Sequence, residues 1–204
     1  MYIYIIRHGE TYGNINGDGF TETDLTPKGV EQIIALAHRL KDKPISKIYS
    51  SPLIRAVKTA TKIRDFHKSA PYIIDCDLLE KGTDPDYCGL TSDKILEICP
   101  DARILPPHPL GVENDDIAYN RALSFIEKVK RENDFDSVVA VVAHGTFNSY
   151  LVSAALGFPY KENFNFSHLN TGVSLVCYLE ENGVIKTKLK YLNDISHLGT
   201  IHEI

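Results

Sequence analysis

The sequence of 204 residues predicts an α/β sandwich with a mostly parallel sheet. The first observation is alternation, because short apolar runs rich in β-branched residues are separated by stretches with helical periodicity. The second is the run from Val138 to Ala143, which is apolar at every position, as expected of a central parallel strand covered on both faces. The third is Glu181-Asn182-Gly183, a hairpin turn signal between two late strands, which predicts an antiparallel edge.

The first predicted strand runs from Tyr2 to Ile6, and a polar loop follows from Glu10 to Thr26. Thr26 is a suitable N-cap and Pro27 suits a first turn, so an amphipathic helix is expected to begin there and to end before Pro44. The other predicted strands are 45–50, 72–74, 138–143, 173–179 and 185–191, and the other predicted helices are 53–66, 92–98, 114–131 and 147–156.

The stretch from about 80 to 115 differs from the rest of the chain because it is rich in proline. Its prolines are Pro85, Pro100, Pro106, Pro107 and Pro109. We interpret this stretch as an excursion that covers one edge of the sheet, and the whole chain, 1–204, as one domain. The polar tail after Asn193 is expected to lie on the surface.

Composition argues against several classes of function. Charged residues make up 24% of the chain and the net charge is −5, so neither a nucleic-acid footprint nor binding to an anionic membrane surface is indicated. No apolar stretch approaches membrane-spanning length, and the N-terminus lacks the features of a signal peptide. The four cysteines show no C-x-x-C spacing and the remaining histidines show no ligand spacing, so we expect reduced thiols, no metal site and a cytoplasmic location.

Two of the predicted strands end in a histidine followed by a glycine. Arg7-His8-Gly9 follows the first strand, and His144-Gly145 follows the apolar run that ends at Ala143. Crevices outside the carboxyl ends of strands bind ligands, and glycine there lets a ligand approach the backbone. A neutral histidine can attack phosphorus when one ring nitrogen keeps its lone pair and an acceptor holds the other as N–H. We therefore expect a phosphate site around His8.

Other polar residues would complete this phosphate site. Arg7, Arg55 and a protonated His144 are the expected cations, which would stabilise the negative charge on the transferred phosphoryl group. Asn14 is interpreted either as an uncharged donor to the phosphate or as the cap of a turn.

A leaving alkoxide also needs a proton, and the candidate donor is Glu80, near a predicted strand end. The same carboxylate could then activate water to hydrolyse phosphohistidine. The alternative interpretation of Glu80 is a solvated loop carboxylate, in which case Glu113 and Asp84 are the substitutes.

Together these segments resemble the signature of the histidine phosphatase (phosphoglycerate mutase-like) superfamily. The resemblance extends over nearly the whole chain. The motifs that carry it are Arg7-His8-Gly9-Glu10-Thr11 with Asn14, Gly19-Phe20-Thr21-Glu22-Thr23-Asp24-Leu25-Thr26, Ser51-Pro52-Leu53-Ile54-Arg55-Ala56, Gly111-Val112-Glu113-Asn114 and Ala143-His144-Gly145.

The resemblance implies a three-layer α/β/α sandwich and a chemistry that requires no metal or cofactor. It also implies that His8 becomes phosphorylated and that Glu80 acts as acid and base. Arg7, Arg55 and His144 would form the phosphate pocket. The further expected substrate contacts are Asn14, Phe20, Thr21, Gly145 and Thr146.

The leading hypothesis is a metal-independent phosphomonoesterase that hydrolyses a small phosphorylated metabolite through a phosphohistidine on His8. The alternative enzyme is a phosphoglycerate mutase, which is disfavoured because residues 95–120 hold only Arg103 as a basic residue, whereas the resemblance implies a basic cluster there for a mutase. A third hypothesis is a non-catalytic module that binds a phosphorylated ligand. Oligomeric state is open, because the edge strand could pair with a second copy to form a homodimer or lie covered.

Overall fold

The computed structural model describes residues 1–17, 22–159 and 166–201. Within these residues the strands belong to one sheet and helices cover both of its faces. The strands are β1 Tyr2–Arg7, β2 Lys47–Ser50, β3 Tyr72–Ile74, β4 Arg103–Ile104, β5 Val138–Ala143, β6 Val173–Glu181 and β7 Val184–Asp194. The α-helices are α1 Tyr12–Asn16, α2 Pro27–Leu40, α3 Ile54–Arg64, α4 Ser92–Ile98, α5 Asp115–Glu132 and α6 Gly145–Leu156.

The sheet is mixed and mostly parallel, as the sequence predicts. Its order is β4-β3-β2-β5-β1-β6-β7, and the five strands from β4 to β1 run parallel. β6 and β7 add the predicted antiparallel edge beside β1. β5 lies between β1 and β2 and is buried at all six positions, because helices cover it on both faces.

Alternate residues along β1 and β5 divide the core into two halves. Ile3, Ile5 and Val141 pack with α5 and α6, where Phe125 and Phe147 are fully buried. Tyr4, Ile6, Ala140 and Val142 face the opposite way and pack with α2, α3 and α4 through side chains that include Leu36, Val57 and Ile95. Helices therefore cover both faces of the sheet, and the three-layer α/β/α sandwich is confirmed. Among the described helices, none has the length and apolar character needed to cross a membrane.

The proline-rich excursion lies against one edge of the sheet and also adds a strand to it. α4 has the predicted bounds and packs against α3. β4 was not expected, and it pairs in parallel with β3, where Ile73 lies beside Arg103. Two residues are too few for a periodic pattern, so only the tertiary pairing reveals this strand.

Two other segments differ from expectation. The loop after β1 contains α1, which a capping box stabilises: the backbone N–H of Asn14 donates to the hydroxyl of Thr11, while the Thr11 N–H donates to the Asn14 side chain. The sequence predicts a tail on the surface, but its 3₁₀ turn at Ser196–Ile201 packs against α2. Leu198 is only 2% exposed, because its apolar side chain is buried there.

In the described chain β7 is the edge strand at the antiparallel side of the sheet, and β4 is the edge strand at the other side. Lys186, Lys188 and Lys190 recur at every second position, and the first two form ion pairs with Glu181 of β6. Lysines on an edge strand disfavour pairing with another strand, because a second chain would have to bury their charges. The homodimer remains a prediction.

Gly29 in the first turn of α2 allows this helix to pack against the backbone that follows His8. A Cβ on Gly29 would collide with the carbonyl oxygen of Glu10. We expect Gly29→Ala to lower the free energy of unfolding by about 1–3 kcal/mol, because the backbone must shift to relieve the overlap. Urea denaturation checks this, with Val30→Ala at the neighbouring exposed position as the control. An unchanged midpoint would show that the segment shifts without cost.

Candidate active site

The two histidines predicted from strand ends lie next to each other. β1 and β5 are neighbouring parallel strands, and Arg7 lies beside Ala143. His8 and His144 therefore both follow the carboxyl ends of their strands, on the same side of the sheet. Their ring centroids are 5.1 Å apart and the rings are tilted by 58°. His8 is 3% exposed and His144 is fully buried.

Hydrogen bonding fixes the tautomer of His8. Its Nδ1 lies 2.7 Å from the carbonyl oxygen of Gly9, which can only accept, so Nδ1 carries the proton and Nε2 keeps its lone pair. Burial, and then the charges of Arg55 and Arg7, hold the pKa of His8 well below its ordinary value of 6.5. The imidazole is therefore neutral, and its free nitrogen meets the requirement for a nucleophile.

Two arginines adjoin this ring, of which Arg55 is buried and Arg7 is half-buried. Arg7 ends β1 and donates from Nη1 to the carbonyl oxygen of His168 over 2.7 Å, while its buried Nε has no hydrogen-bond partner in the described chain. Arg55 is the second residue of α3 and is 1% exposed. Burial lowers the pKa of both guanidinium groups, and the Glu80 carboxylate opposes that effect. Both remain cations, since guanidinium groups stay protonated in proteins.

His144 differs from the expected protonated imidazole. Its Nε2 lies 2.8 Å from the hydroxyl of Ser51. Burial lowers the pKa of His144 well below its ordinary value, and the charges of Arg55 and Arg7 lower it further. In this structure His144 is therefore neutral, because a third positive charge would lie buried beside two arginines. A bound phosphate would favour its protonation by adding negative charge.

The Glu80 side chain lies at the N-terminus of α6, the helix that begins directly after His144. Its carboxylate accepts backbone N–H groups of Phe147 at 2.8 Å, Thr146 at 3.1 Å and Lys81 at 2.9 Å. Burial raises the pKa of Glu80, although these three donors and Arg7 oppose the rise. A raised pKa suits a proton donor, because the carboxyl stays protonated to a higher pH.

The two substitute carboxylates are differently placed. Glu113 forms a salt bridge with Arg121 at 2.7 Å, with both side chains less than a tenth exposed. Asp84 is exposed and accepts the backbone N–H of Asp86. Of the three candidates, only Glu80 lies at the strand and helix ends that carry the histidines.

The remaining substrate contacts stay predictions, and the structure shows where the described ones lie. Asn14 caps α1, and its side-chain oxygen also accepts from Asn170, whose amide donates to the His8 carbonyl oxygen. Gly145 approaches Arg7 closely, since a Cβ there would lie 3.3 Å from Arg7 Nε. Thr146 is exposed at the first turn of α6. Phe20 and Thr21 lie outside the described residues.

A family sequence model, described as histidine phosphatase superfamily (branch 1), matches residues 3–190. The chain belongs to the histidine phosphatase superfamily. Phosphoserine phosphatase 1 of Hydrogenobacter thermophilus is 29% identical over 208 residues, which cover 98% of this chain and 95% of that protein. Glucosyl-3-phosphoglycerate phosphatase of Mycolicibacterium vanbaalenii is 33% identical over 172 residues, 77% and 75% of the two chains. The solved structure of the α-ribazole phosphatase of Shigella flexneri matches with a TM-score of 0.68 at 22% identity, covering 96% of this chain and 97% of that one.

These matches confirm the resemblance to the histidine phosphatase superfamily. The chain is a phosphoric monoester hydrolase of this family. No group of three or more His, Cys, Asp or Glu side chains in the described ranges is arranged to hold a metal ion.

This histidine phosphatase also contains a contact set near Arg55 that the sequence did not reveal. Glu22 accepts the backbone N–H of Ile54 at 2.6 Å and the hydroxyl of Tyr87 at 2.6 Å. It thereby joins the loop after α1, the start of α3 and the excursion. Glu22 also stabilises the positive charge of Arg55. No local pattern predicts these contacts, because the three segments are far apart in sequence.

Proposed function

We propose that this phosphatase hydrolyses a small phosphorylated metabolite without a metal, through a phosphohistidine on His8. The observation that carries the proposal is the hydrogen bond from His8 Nδ1 to the Gly9 carbonyl, because it leaves Nε2 unprotonated. The neighbouring Arg7 and Arg55 supply positive charge for the phosphoryl oxygens, and Arg7 Nε is a buried donor that an anion could satisfy.

In the first step, His8 Nε2 attacks phosphorus and the bond from phosphorus to the ester oxygen breaks. The protonated Glu80 carboxyl transfers its proton to the leaving oxygen, so the product departs as a neutral alcohol. The charge on the phosphoryl group is stabilised by the two arginines. In the bound state, a protonated His144 would add to this stabilisation.

In the second step, the Glu80 carboxylate takes a proton from water as the water oxygen attacks the phosphohistidine. The nitrogen–phosphorus bond breaks, inorganic phosphate forms and His8 regains its lone pair. Glu80 is protonated again, ready for the next substrate.

Hydrolysis is favoured over mutase chemistry by the pairing of the nearby cations. A mutase would need free positive charge for the carboxylate of its substrate. Lys81 is paired with Asp115, and Arg121 is paired with Glu113. Arg103, the basic residue of the 95–120 stretch, is exposed on β4 at the sheet edge.

The names of two relatives are the basis on which we propose a substrate class. The relatives named above are phosphatases of phosphoserine and glucosyl-3-phosphoglycerate. Both compounds are small phosphate monoesters. We propose that this chain takes a substrate of the same general class.

Hydrolysis of p-nitrophenyl phosphate with and without EDTA tests the proposal. We expect phosphate release that EDTA does not reduce, because each catalytic group is a side chain of this protein. Loss of activity in EDTA, restored by added metal, would contradict the metal-independent mechanism. Interconversion of 2- and 3-phosphoglycerate, measured in parallel, would instead indicate a mutase.

A further inference from the structure

Arg121 on α5 forms a buried ion pair with Glu113. Arg121 Nε donates to Glu113 Oε1 at 2.8 Å, and Nη2 donates to Oε2 at 2.7 Å, so the pair is bidentate. The Arg121 side chain is 8% exposed and that of Glu113 is 4% exposed. A bidentate pair fixes the plane of the guanidinium group.

The third nitrogen of Arg121 holds the backbone that leads to Glu80. Nη1 donates to the carbonyl oxygens of Asp77 at 2.8 Å and of Leu79 at 3.0 Å. Leu79 immediately precedes Glu80, so these bonds fix where the chain presents the Glu80 side chain.

Arg121 also contacts α6, the helix whose first turn binds the Glu80 carboxylate. Its Cζ lies 3.9 Å from the centroid of the Phe147 ring, a cation–π contact. The backbone N–H of Phe147 donates to Glu80 Oε1 at 2.8 Å. Arg121 therefore contacts both the segment that carries Glu80 and the first turn of α6 that binds its carboxylate.

We infer that Arg121, oriented by Glu113, is a positioning residue that aligns Glu80 for proton transfer. The inference rests on the proposed function, in which Glu80 protonates the leaving group. Arginine is required because a planar group with five donors can serve the carboxylate, two carbonyls and the ring together. Lysine is a single point charge and cannot serve them all.

The test is Arg121→Lys, which keeps the positive charge opposite Glu113 and so avoids an unpaired buried carboxylate. The kcat/KM values for phenyl phosphate and p-nitrophenyl phosphate are compared. The two esters have similar shapes, but phenolate is the poorer leaving group and depends more on a proton donor. We expect kcat/KM to fall about tenfold or more for phenyl phosphate and less than about threefold for p-nitrophenyl phosphate.

The chain offers a matched control in Arg39 on α2. Arg39 also pairs with an aspartate, Asp194 at 2.5 Å, donates to that residue's carbonyl oxygen at 3.0 Å and lies over the Tyr191 ring at 5.3 Å. We expect Arg39→Lys to leave the ratio of the two kcat/KM values unchanged. Thermal unfolding of both variants measures the stability cost of each substitution.

Glu113→Gln keeps the inference falsifiable if Arg121→Lys does not fold. It leaves Arg121 charged but loosens the bidentate pair, and it should change the ratio in the same direction. Where Arg121→Lys does fold, adding it to Glu80→Gln should cause no further change in the ratio, because the proton donor is already gone.

Equal losses for both esters, or none, would overturn the role of Arg121 and leave the proposed hydrolysis intact. A wild-type protein that hydrolyses neither ester would overturn the proposed function itself. The two failures are therefore distinguishable in one experiment.

Discussion

Replacement of His8 by alanine is expected to lower kcat for p-nitrophenyl phosphate by about 10³-fold or more, because the phosphoryl group then has no nucleophile. The fold should survive, since the His8 backbone N–H bonds to Ala143 and its carbonyl accepts from Thr171. Steady-state kinetics on the purified variant measures the loss. Binding of inorganic phosphate, followed by calorimetry, should persist because Arg7 and Arg55 remain.

His67→Ala is the matched control for His8. His67 is also buried, its Nε2 also bonds to a backbone carbonyl, that of Leu40, and burial also lowers its pKa. It lies after α3, away from the strand ends that carry the site, so kcat should stay within about twofold of wild type. Retention of full activity by His8→Ala would show that the proposed covalent intermediate does not form.

The placement of His8 beside His144 could be predicted from sequence because it depends on local pattern. Each histidine directly follows an apolar strand, and the carboxyl ends of neighbouring parallel strands lie on the same side of a sheet. The position of Arg55 could be predicted in the same way, because Pro52 and Leu53 immediately precede a helix. Where strand or helix ends set the position of a side chain, the sequence was sufficient.

The protonation state of His144 could not be predicted in this way. The expectation of a cation came from the needs of the reaction alone. In the folded chain His144 is buried next to two arginines, and that tertiary arrangement favours the neutral ring.

The contacts that support the site could not be predicted from the sequence either. Arg121 is 41 residues from Glu80 and belongs to no local motif, while the contact between Glu22 and Tyr87 joins positions 65 residues apart. Such pairs meet only because the excursion folds back over the sheet edge. Charged residues on a helix are usually solvated, so pattern alone gives no reason to single out Arg121.

Replacement of Glu80 by glutamine should lower kcat/KM for phenyl phosphate by about 10²-fold or more, because glutamine cannot donate a proton. The amide keeps an acceptor oxygen for the Phe147 N–H, so the site geometry should be largely preserved. Asp84→Asn is the control, since Asp84 is an exposed carboxylate of the same excursion. An equal loss in both variants would point to a general effect on the excursion and not to proton transfer.

The pH dependence of kcat/KM separates the roles of His8 and Glu80. His8 must be neutral, and its pKa lies well below 6.5, so activity should rise with pH through that low value. Glu80 must be protonated, and burial raises its pKa above the ordinary 4.5, so activity should fall as pH rises through that raised value. In Glu80→Gln the falling limb should disappear while the rising limb stays, since only the second group has been removed. A falling limb that persists in the variant would show that a group other than Glu80 causes it, and Glu113 would then be the next carboxylate to replace.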